Sequence, residues 1–377
     1  MSRPLRTLWV TNDFPPRAGG IEHFVSRLVR SRPAGSARVL ASAWPGDRAH
    51  DAAFPHPVER VGRRPLLPSR RLAERVRRAA AAHDADVVVF GAAWPLGEIG
   101  AALDVPTLAI SHGHEAGLVR VGGGPLLRRV ARAVDAISVI SGYTRAALAP
   151  WVAEHAALVD LPPGVDVDAF SPAVDGGPVR TRHGIAPDAP LVVCVSRLVA
   201  RKGQDVLVEA WPDVRARCPG ARLLLVGDGP LRRRLARRVA ALGLHDAVTL
   251  VGEVAWADLP AYHAAADVFA MPCRTRLGGL DVEGLGIVFL EAQASGTPVV
   301  VGRSGGAPEA VRDGVTGVVV DGRDRFAVAD ALVALLVDPA RRAALGAAGR
   351  AFVSATYAWP VVTARFDAIL RELVAGR

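Results

Sequence analysis

The sequence predicts an α/β fold made of two Rossmann-like domains, each built on a doubly wound parallel sheet. Three features support this prediction: the length of the chain, the alternation of strand-like with helix-like stretches, and a single interruption of that alternation. With 377 residues, the chain suits two domains that are each large enough to bury a core. Half of its residues are apolar and 5% are aromatic, which is typical of a globular protein.

Short apolar runs rich in β-branched residues alternate with helix-length stretches along the whole chain. In the first half, the predicted strands cover residues 7–13, 38–43, 86–91, 106–111 and 136–141. In the second half, they cover residues 191–196, 222–227, 248–253, 267–272, 298–302 and 317–320. This order of strands and helices indicates parallel sheets, whose ligands bind beyond the carboxyl ends of the strands. Functional residues are therefore expected directly after each strand.

One stretch rich in proline, glycine and aspartate breaks the alternation between residues 161 and 190. Such a composition is typical of a connecting segment, because these residue types favour turns. The two domains are therefore expected to join here. Asp166 and Asp168 lie in this segment and are interpreted as turn residues rather than as metal ligands.

The formal net charge of +9 favours partners that carry phosphate, such as nucleic acid or an anionic membrane surface. Nucleic acid is disfavoured, because the sequence has no basic strand studded with aromatic residues and no recognisable nucleic-acid-binding module. No uncharged apolar run approaches the roughly 18 residues of a membrane span, and the first residues do not resemble a secretory signal. The sequence therefore predicts a cytoplasmic protein that is soluble or peripheral to a membrane.

The three cysteines, Cys194, Cys218 and Cys273, are odd in number and far apart. Their spacing fits neither a disulfide framework nor a zinc site. They are predicted to be small buried side chains.

Lys202 is the single lysine of the chain, although Lys and Arg together number 46. It follows the first strand of the second half by a few residues, and Arg197 closes that strand. Both side chains are thus expected at the carboxyl edge of a parallel sheet, where an anion would bind. Arginine can grip two phosphate oxygens with its planar fork, whereas lysine acts as a compact point charge. A solvated turn is the alternative, but a lone lysine in an arginine-rich chain favours the anion site.

Glu283 and Glu291 flank the predicted start of a helix. Gly284 and Gly286 indicate a loop that opens a helix near Ile287, so the two carboxylates do not share a helical face. This argues against an acid and base pair. The free N–H groups of the helix start could hold a phosphate, while each carboxylate accepts hydrogen bonds from sugar hydroxyls. The alternative is a pair of solvated carboxylates favoured by the helix dipole.

Two further strand ends carry glycines that could approach a phosphate. Gly19 and Gly20 follow the first strand within the sequence TNDFPPRAGGIEHF, and their spacing does not match the dinucleotide-binding G-x-G-x-x-G pattern. Their backbone N–H groups could still meet a diphosphate. Gly227 and Gly229 lie at another strand end, in the sequence LVGDGPLRRRL, where a simple turn is the alternative.

His112 and His114 follow the fourth predicted strand in the sequence SHGHEAG. A third ligand at metal-binding spacing is not obvious, so no metal site is predicted. A histidine at this place is better suited to hydrogen-bonding a substrate hydroxyl.

A basic segment over residues 64–83 predicts an arginine-rich helix. Its arginines include Arg70, Arg71, Arg75, Arg77 and Arg78. The segment is either a solvated helix face or a surface that docks on anionic lipid. Residues 124–135 add Arg128, Arg129 and Arg132 in the same half of the chain.

Taken together, these motifs resemble the retaining GT4 glycosyltransferases of GT-B fold along essentially the whole chain. The marks are the Gly19–Gly20 pair, the PPGVDVDAF linker, Arg197 with Lys202, the LLLVGDGP strand end, the Glu283 to Glu291 spacing and SGGAPEAV. Three sequences further resemble the actinobacterial phosphatidylinositol mannosyltransferase B group: TNDFPPRAGGIEHF, SHGHEAG and CRTRLGGLDVEGLGIVFLEAQASGTPVV. That group transfers mannose from GDP-mannose to phosphatidylinositol monomannoside.

The resemblance implies two Rossmann-like domains that face a central cleft. The acceptor domain would cover residues 1–168 and 357–377, and the nucleotide-sugar domain residues 169–356. The returning segment would correspond to YAWPVVTARF, residues 357–366.

The resemblance also implies a role for each candidate residue. Arg197 and Lys202 would neutralise the diphosphate leaving group, Glu283 would bind hydroxyls of the donor sugar, and Glu291 would bind the ribose. Either His112 or His114 would contact the sugar near the reacting carbon. Further donor contacts are implied for Gly19, Gly20, Gly227, Arg274, Gly284, Leu285 and Gly286.

The implied chemistry needs neither a metal nor a carboxylate nucleophile. As the bond to the diphosphate breaks, the sugar becomes oxocarbenium-like and preplaced cations act mainly in the transition state. This suits a front-face mechanism in which the leaving phosphate helps to deprotonate the acceptor. The acceptor is expected to be a lipid or glycolipid reached at the cytoplasmic face of a membrane.

Three other functions are compatible with parts of the sequence. A GT4 enzyme could use another nucleotide sugar or a soluble acceptor. A catalytically silent GT-B protein could bind without turning over, although it would not need to keep Arg197, Lys202 and Glu283 together. A nucleic-acid-binding protein would bind DNA with a steep salt dependence that a donor nucleotide leaves unchanged.

Overall fold

The computed structural model describes residues 3–17, 19–62 and 65–376. Arg64, the first residue of the predicted basic segment, lies outside the described residues. The chain divides into two compact units, Met1–Pro163 with Val362–Arg377 and Gly164–Val361. The predicted boundaries at residues 168 and 357 fall a few residues inside the second of these units.

The described part of the first unit contains a sheet of seven parallel strands in the order β3-β2-β1-β4-β5-β6-β7. The strands are β1 (Thr7–Thr11), β2 (Ala37–Ala41), β3 (Val58–Arg60), β4 (Val87–Phe90), β5 (Thr107–Ile110), β6 (Ala136–Val139) and β7 (Ala157–Asp160). The helices are α1 (Gly20–Arg30), α2 (Asp47–Ala52), α3 (Arg70–Ala82), α4 (His114–Leu118), α5 (Gly124–Ala131) and α6 (Gly142–Val152). Strands β1, β4, β5 and β6 are buried along their whole length, because helices cover both faces of a parallel sheet.

The second unit repeats this arrangement with six described parallel strands in the order β10-β9-β8-β11-β12-β13. The strands are β8 (Leu191–Val195), β9 (Arg222–Val226), β10 (Val248–Gly252), β11 (Val268–Met271), β12 (Val299–Gly302) and β13 (Gly317–Val320). The helices are α7 (Gly177–Arg182), α8 (Gln204–Arg217), α9 (Arg232–Ala241), α10 (Leu259–Ala265), α11 (Ile287–Ala294), α12 (Arg325–Leu336) and α13 (Pro339–Thr356).

The last helix, α14 (Trp359–Ala375), begins in the second unit and continues in the first. Within the first unit, the Phe366 ring packs on Trp9 of β1 with ring centroids 5.5 Å apart. Asp367 forms an ion pair with Arg32, whose side chain is almost fully buried. The end of the chain is therefore part of the core of the first unit.

The two sheets confirm the predicted pair of doubly wound, Rossmann-like units. In each, the strand order reverses once, between β1 and β4 and between β8 and β11. Ligands of doubly wound folds bind at such a switch point, beyond the carboxyl ends of the strands. The loops after β1 and β4 and those after β8 and β11 therefore border the two switch points.

The edge strands β3 and β7 are absent from the sequence prediction. Every residue of β3 is half-buried, and β7 has two exposed and two half-buried residues. Edge strands of this kind lack the continuous apolar run that identifies a fully covered strand.

Within the described ranges, no helix is long and apolar enough to cross a bilayer. The cysteines Cys194, Cys218 and Cys273 are free and buried, as predicted.

Candidate active site

Lys202 and Glu283 form the central contact of the candidate site in the second unit. Lys202 Nζ donates to Glu283 Oε2 over 2.6 Å, and the two side chains are only 12% and 10% exposed. Hydrogen bonds between charged groups are short and strong, particularly where water is largely excluded. The fold thus brings together two predicted site residues that are 81 positions apart in the chain.

A glycine and a backbone hydrogen bond hold the Lys202 loop against the end of β11. Gly203 has a φ of +79°, and a Cβ there would lie 2.1 Å from the carbonyl oxygen of Pro272. In addition, Arg274 N–H donates to the Arg201 carbonyl over 2.8 Å. Only glycine permits this conformation and approach. The loops after β8 and β11 are therefore held together beside Lys202.

Glu283 is held from the other side by the segment SGGAPEAV. The Ser304 hydroxyl accepts from Glu283 N–H over 3.2 Å, and Gly306 N–H donates to the Glu283 carbonyl over 3.0 Å. A Cβ on Gly305, whose φ is +51°, would lie 2.2 Å from the same carbonyl oxygen. The glycine pair of this motif therefore sets the position of the Glu283 backbone.

Arg197 is the cation of the site that remains without a carboxylate. Its side chain is exposed and makes no ion pair with the residues that the structure describes. By contrast, Arg201 lies 3.4 Å from Asp281 and 3.7 Å from Glu283, although nothing in the sequence distinguishes it from the surrounding arginines. Among the described residues, Arg197 is thus unpaired, whereas Arg201 and Lys202 are paired with carboxylates.

Glu291 lies one turn into α11, as predicted, but it does not contact Glu283. Its Oε2 is 3.7 Å from Nε2 of His263, which is fully buried. Neither ring nitrogen of His263 has a hydrogen-bond partner among the described residues. The ring packs between Phe170 and Phe269, with centroids 5.5 and 5.3 Å away. No motif in the sequence identified this histidine.

Gly286 precedes α11 with a φ of +88°, and Leu285 is buried at 2% exposure. Any contact of Leu285 with a donor would therefore come from its backbone. The start of α11 at Ile287 agrees with the sequence prediction. For Gly284, the structure adds no specific contact to the prediction.

Two other predicted donor contacts have partners within the second unit. Arg274 donates to Asp205, in the first turn of α8, over 2.6 Å. Gly227 N–H donates to the Gly252 carbonyl over 2.7 Å, and a Cβ on Gly227 would lie 2.2 Å from the Ser196 carbonyl oxygen. These contacts give Arg274 and Gly227 a structural role within the second unit. Their proposed contacts with the nucleotide sugar stay predictions.

In the first unit, the structure distinguishes the two candidate histidines. The His112 ring lies edge-on to Phe24, and Nε2 is 2.6 Å from the Gly91 carbonyl oxygen, to which it must donate. Loss of solvent around the ring lowers the pKa of His112 below its ordinary value of 6.5, so the ring is neutral and Nδ1 is an acceptor. His114 is exposed and begins α4. His112 is therefore the one with a fixed orientation.

The Gly19–Gly20 turn already faces a carboxylate of its own helix. A Cβ on Gly19 would lie 2.2 Å from Glu22 Oε2, whereas nothing lies within 4 Å of one on Gly20. Arg17 pairs with Glu22 over 2.9 Å, and the Glu22 side chain is 6% exposed. An anion near this turn would meet the Glu22 charge, which Arg17 partly offsets.

The basic helix α3 carries fewer free charges than its sequence suggests. Arg75 pairs with Glu59 over 2.7 Å, and both Arg77 and Arg78 approach Glu74. Arg70 and Arg71 are exposed and have no carboxylate partner in the described part of the chain.

Among residues 3–17, 19–62 and 65–376, no group of three or more His, Cys, Asp or Glu side chains could hold a metal ion. Burial raises the pKa of the Cys194 thiol to about 12 and raises that of Cys273 as well, so both remain protonated. Neither thiol is suited to act as a nucleophile.

Family comparisons agree with this architecture in both units. The family described as Glycosyltransferase Family 4 matches residues 18–169, and that described as Glycosyl transferases group 1 matches residues 178–352. The chain belongs to the family 4 glycosyltransferases, which have the GT-B fold.

More specifically, the chain is similar along its whole length to actinobacterial mannosyltransferases. It is 47% identical over 385 residues to the GDP-mannose-dependent alpha-(1-6)-phosphatidylinositol monomannoside mannosyltransferase of Mycobacterium tuberculosis, covering 99% of this chain and 100% of that protein. It is 42% identical over 381 residues to the GDP-mannose-dependent monoacylated alpha-(1-6)-phosphatidylinositol monomannoside mannosyltransferase of Corynebacterium glutamicum, covering 99% of each.

Solved structures agree on the fold. Sucrose-phosphate synthase from Thermosynechococcus elongatus superposes with a TM-score of 0.80 at 26% identity, covering 99% of this chain and 100% of that one. Anabaena Alr3699/HepE, solved in complex with UDP, superposes with a TM-score of 0.81 at 23% identity, covering 98% and 100%.

Proposed function

We propose that this protein transfers mannose from GDP-mannose to a phosphatidylinositol monomannoside, with retention of the anomeric configuration. The observation that carries the proposal is the similarity to proteins of this name along the full chain. The Lys202–Glu283 pair supports it, because it holds a cation in the loop beyond the carboxyl end of a parallel strand, where ligands of such sheets bind.

Arg197 and Lys202 would act on the leaving group. When the bond between C1 of mannose and the β-phosphate oxygen breaks, negative charge accumulates on the diphosphate. A cation that is already in place interacts more strongly with the diphosphate in the transition state than in the ground state. This difference lowers the activation barrier and accelerates the reaction. Arg197 has its guanidinium free for two phosphate oxygens, whereas Lys202 is held in place by Glu283.

The new bond would form on the face from which the diphosphate departs. C1 loses its bond to the β-phosphate oxygen and gains a bond to the acceptor hydroxyl oxygen. The hydroxyl proton passes to the departing phosphate oxygen, so no separate base is needed. This sequence retains the configuration at C1 without a carboxylate nucleophile.

Carboxylates and one histidine would orient the donor. Glu283 would accept from mannose hydroxyls, and Glu291 from the ribose. His112 would accept a hydroxyl hydrogen at Nδ1, because Nε2 donates to Gly91. His114 has no comparable constraint and would not be required.

The proposed reaction requires no metal ion. The two cations Arg197 and Lys202 would supply the positive charge that a divalent ion provides in other transferases. A chelator added to the purified protein should therefore leave the transfer rate unchanged, and a loss that added Mg²⁺ or Mn²⁺ reverses would contradict this point.

The acceptor would be reached at the cytoplasmic face of a membrane by peripheral attachment. Arg70 and Arg71 support such attachment because they are exposed and unpaired among the described residues, whereas Arg75, Arg77 and Arg78 are engaged by carboxylates. Cosedimentation with phosphatidylglycerol vesicles should weaken in an Arg70→Ser/Arg71→Ser variant more than in an Arg77→Ser/Arg78→Ser variant. Equal losses in both variants would point to net charge alone.

The donor and acceptor can be tested together with purified protein. GDP-mannose, UDP-glucose and UDP-N-acetylglucosamine would each be incubated with phosphatidylinositol monomannoside and with inositol phosphate, and products read by mass spectrometry. We expect a gain of one hexose only with GDP-mannose and the lipid, and no gain in an Arg197→Ala/Lys202→Ala variant. Turnover of another pair would support the broader glycosyltransferase alternative, and GDP-mannose binding without turnover would support a silent binding protein.

A further inference from the structure

A second charged cavity on the second unit has neither Lys202 nor Glu283 in its lining. It has a volume of about 580 Å³ and is lined by residues of α8 and α9 together with Arg323 and Arg325, at the start of α12. Five arginines and two carboxylates contribute to its lining. None of these arginines belongs to the predicted donor site.

The two carboxylates are already engaged by other partners. Glu209 accepts two hydrogen bonds from Arg238, each 2.5 Å long. Asp205 accepts from Arg274, which does not line the cavity. The remaining four lining arginines therefore have no carboxylate partner among the described residues. These are Arg234, Arg237, Arg323 and Arg325.

The unpaired guanidiniums belong to two separate segments of the cavity lining. Arg234 and Arg237 are three residues apart on α9 and so share one face of that helix, above the buried side chain of Leu235. In the other segment, Arg323 donates to the Thr275 carbonyl over 2.5 Å. Arg325 donates to the Glu209 carbonyl over 3.4 Å and lies on Phe326, with 4.4 Å between the guanidinium carbon and the ring centroid. These contacts orient both side chains while leaving most of their N–H donors free.

We propose that this cavity binds a small molecule that carries a diphosphate or similarly clustered phosphate groups. Four uncompensated guanidiniums around one cavity repel each other, and a polyanion would relieve this repulsion while accepting bidentate hydrogen bonds. A soluble ligand fits better than a bilayer surface, because the exposed positions of α9 are only arginine and alanine. A bilayer-binding helix would present large apolar side chains there.

The site does not depend on the proposed mannosyl transfer, and the test keeps the two separate. Inorganic pyrophosphate would be titrated by calorimetry into an Arg197→Ala/Lys202→Ala protein, in which the other candidate phosphate clamp is removed. We expect one binding site, weakened at least tenfold by Arg234→Ser/Arg237→Ser. The matched control is Arg233→Ser/Arg341→Ser, which removes the same charge from exposed positions that do not line the cavity.

Two results would overturn the proposal. One is the absence of a pyrophosphate site in the starting protein, and the other is equal weakening by the cavity and control pairs. Because the substituted residues are exposed, thermal unfolding should be unchanged in both. A parallel measurement with phosphatidylglycerol vesicles distinguishes the source of phosphate. If vesicle binding requires Arg234 and Arg237 but pyrophosphate does not bind, the partner of the cavity is a lipid surface and not a soluble ligand.

Discussion

The strand-end loops of the two units position their polar groups by different means. In the second unit, Lys202 and Glu283 face each other as opposite charges in a largely water-excluded position. In the first unit, His112 is held as a neutral ring by one backbone carbonyl and one aromatic ring. The charged pair is therefore suited to stabilising charge that develops in a transition state, whereas the neutral ring is suited to hydrogen-bonding a hydroxyl.

This difference implies unequal tolerance to substitution. Removing one member of a poorly solvated ion pair leaves the other charge uncompensated, which is strongly unfavourable. Removing a neutral hydrogen-bonding ring, such as that of His112, loses one oriented hydrogen bond and leaves no charge uncompensated. Substitutions in the second unit should thus have the larger effects.

The largest effect is expected for Lys202→Arg. The planar guanidinium cannot reproduce a point contact of 2.6 Å with Glu283 and would crowd a bound diphosphate. Turnover of GDP-mannose should fall by about 100-fold or more, as for the loss of one transition-state donor. Arg341→Lys, at an exposed position of α13, is the control for exchanging lysine and arginine away from the site, and it should leave turnover unchanged. Unchanged turnover with a normal unfolding temperature would exclude a leaving-group role for Lys202.

Gly305→Ala should come next, because it moves Glu283 without removing any charge. The new Cβ would collide with the Glu283 carbonyl, at 2.2 Å. We expect turnover to fall by about tenfold, in line with sensitivity to displacements of catalytic groups. Gly314→Ala is a matched control, since Gly314 also has a positive φ but has nothing within 4 Å of its Cβ position. Gly314→Ala should lose about 1 kcal/mol of stability from the positive φ. Gly305→Ala should lose more, because the collision adds to the same backbone strain, and only Gly305→Ala should lose activity.

A smaller effect, about tenfold or less, is expected for His112→Asn. The shorter amide cannot donate to the Gly91 carbonyl as Nε2 does, so the acceptor near the former Nδ1 position loses its fixed orientation toward the donor sugar. His114→Asn should be nearly neutral, because His114 is exposed. Steady-state kinetics with GDP-mannose would separate the two variants, and a larger loss for His114→Asn would reverse the assignment.

The smallest effect concerns pH. Desolvation lowers the pKa of His112 in the folded protein below its ordinary value of 6.5. Between these two values the unfolded chain binds more protons than the folded one, so the free energy of unfolding falls as the pH falls through this range. His112→Asn should therefore lose less stability than the unmodified protein between pH 7.5 and pH 5.5, as measured by denaturant unfolding. An identical pH dependence in both would show that His112 does not contribute.

The sequence predicted those features that leave a local pattern. The alternation of buried strands with helices gave both sheets, since a covered parallel strand such as β8 is a continuous apolar run. The helix start after Gly286 was predictable from glycine spacing. Lys202 stood out by composition alone, because every other basic residue of the Lys and Arg set is arginine.

Features that depend on distant contacts left no such pattern. The approach of Glu291 to His263 depends on how α10 packs near α11, and a single buried histidine in a helix carries no motif. The pairing of Arg274 with Asp205 joins residues 69 positions apart. The sequence therefore implied a nucleotide-sugar contact for Arg274 but did not reveal its carboxylate partner. The charges of α3 were likewise overestimated, because their carboxylate partners include Glu59 on another element.

Because Lys202 is the single lysine, its amine is a natural spectroscopic reporter. Reductive methylation with isotope-labelled formaldehyde would label the terminal amine and the Lys202 amine, so that the protein would show one side-chain resonance. Its chemical shift would respond to the distance of 2.6 Å between this amine and Glu283, and to any anion that separates the two groups. Occupancy of the leaving-group position could then be followed in solution without a substrate being turned over.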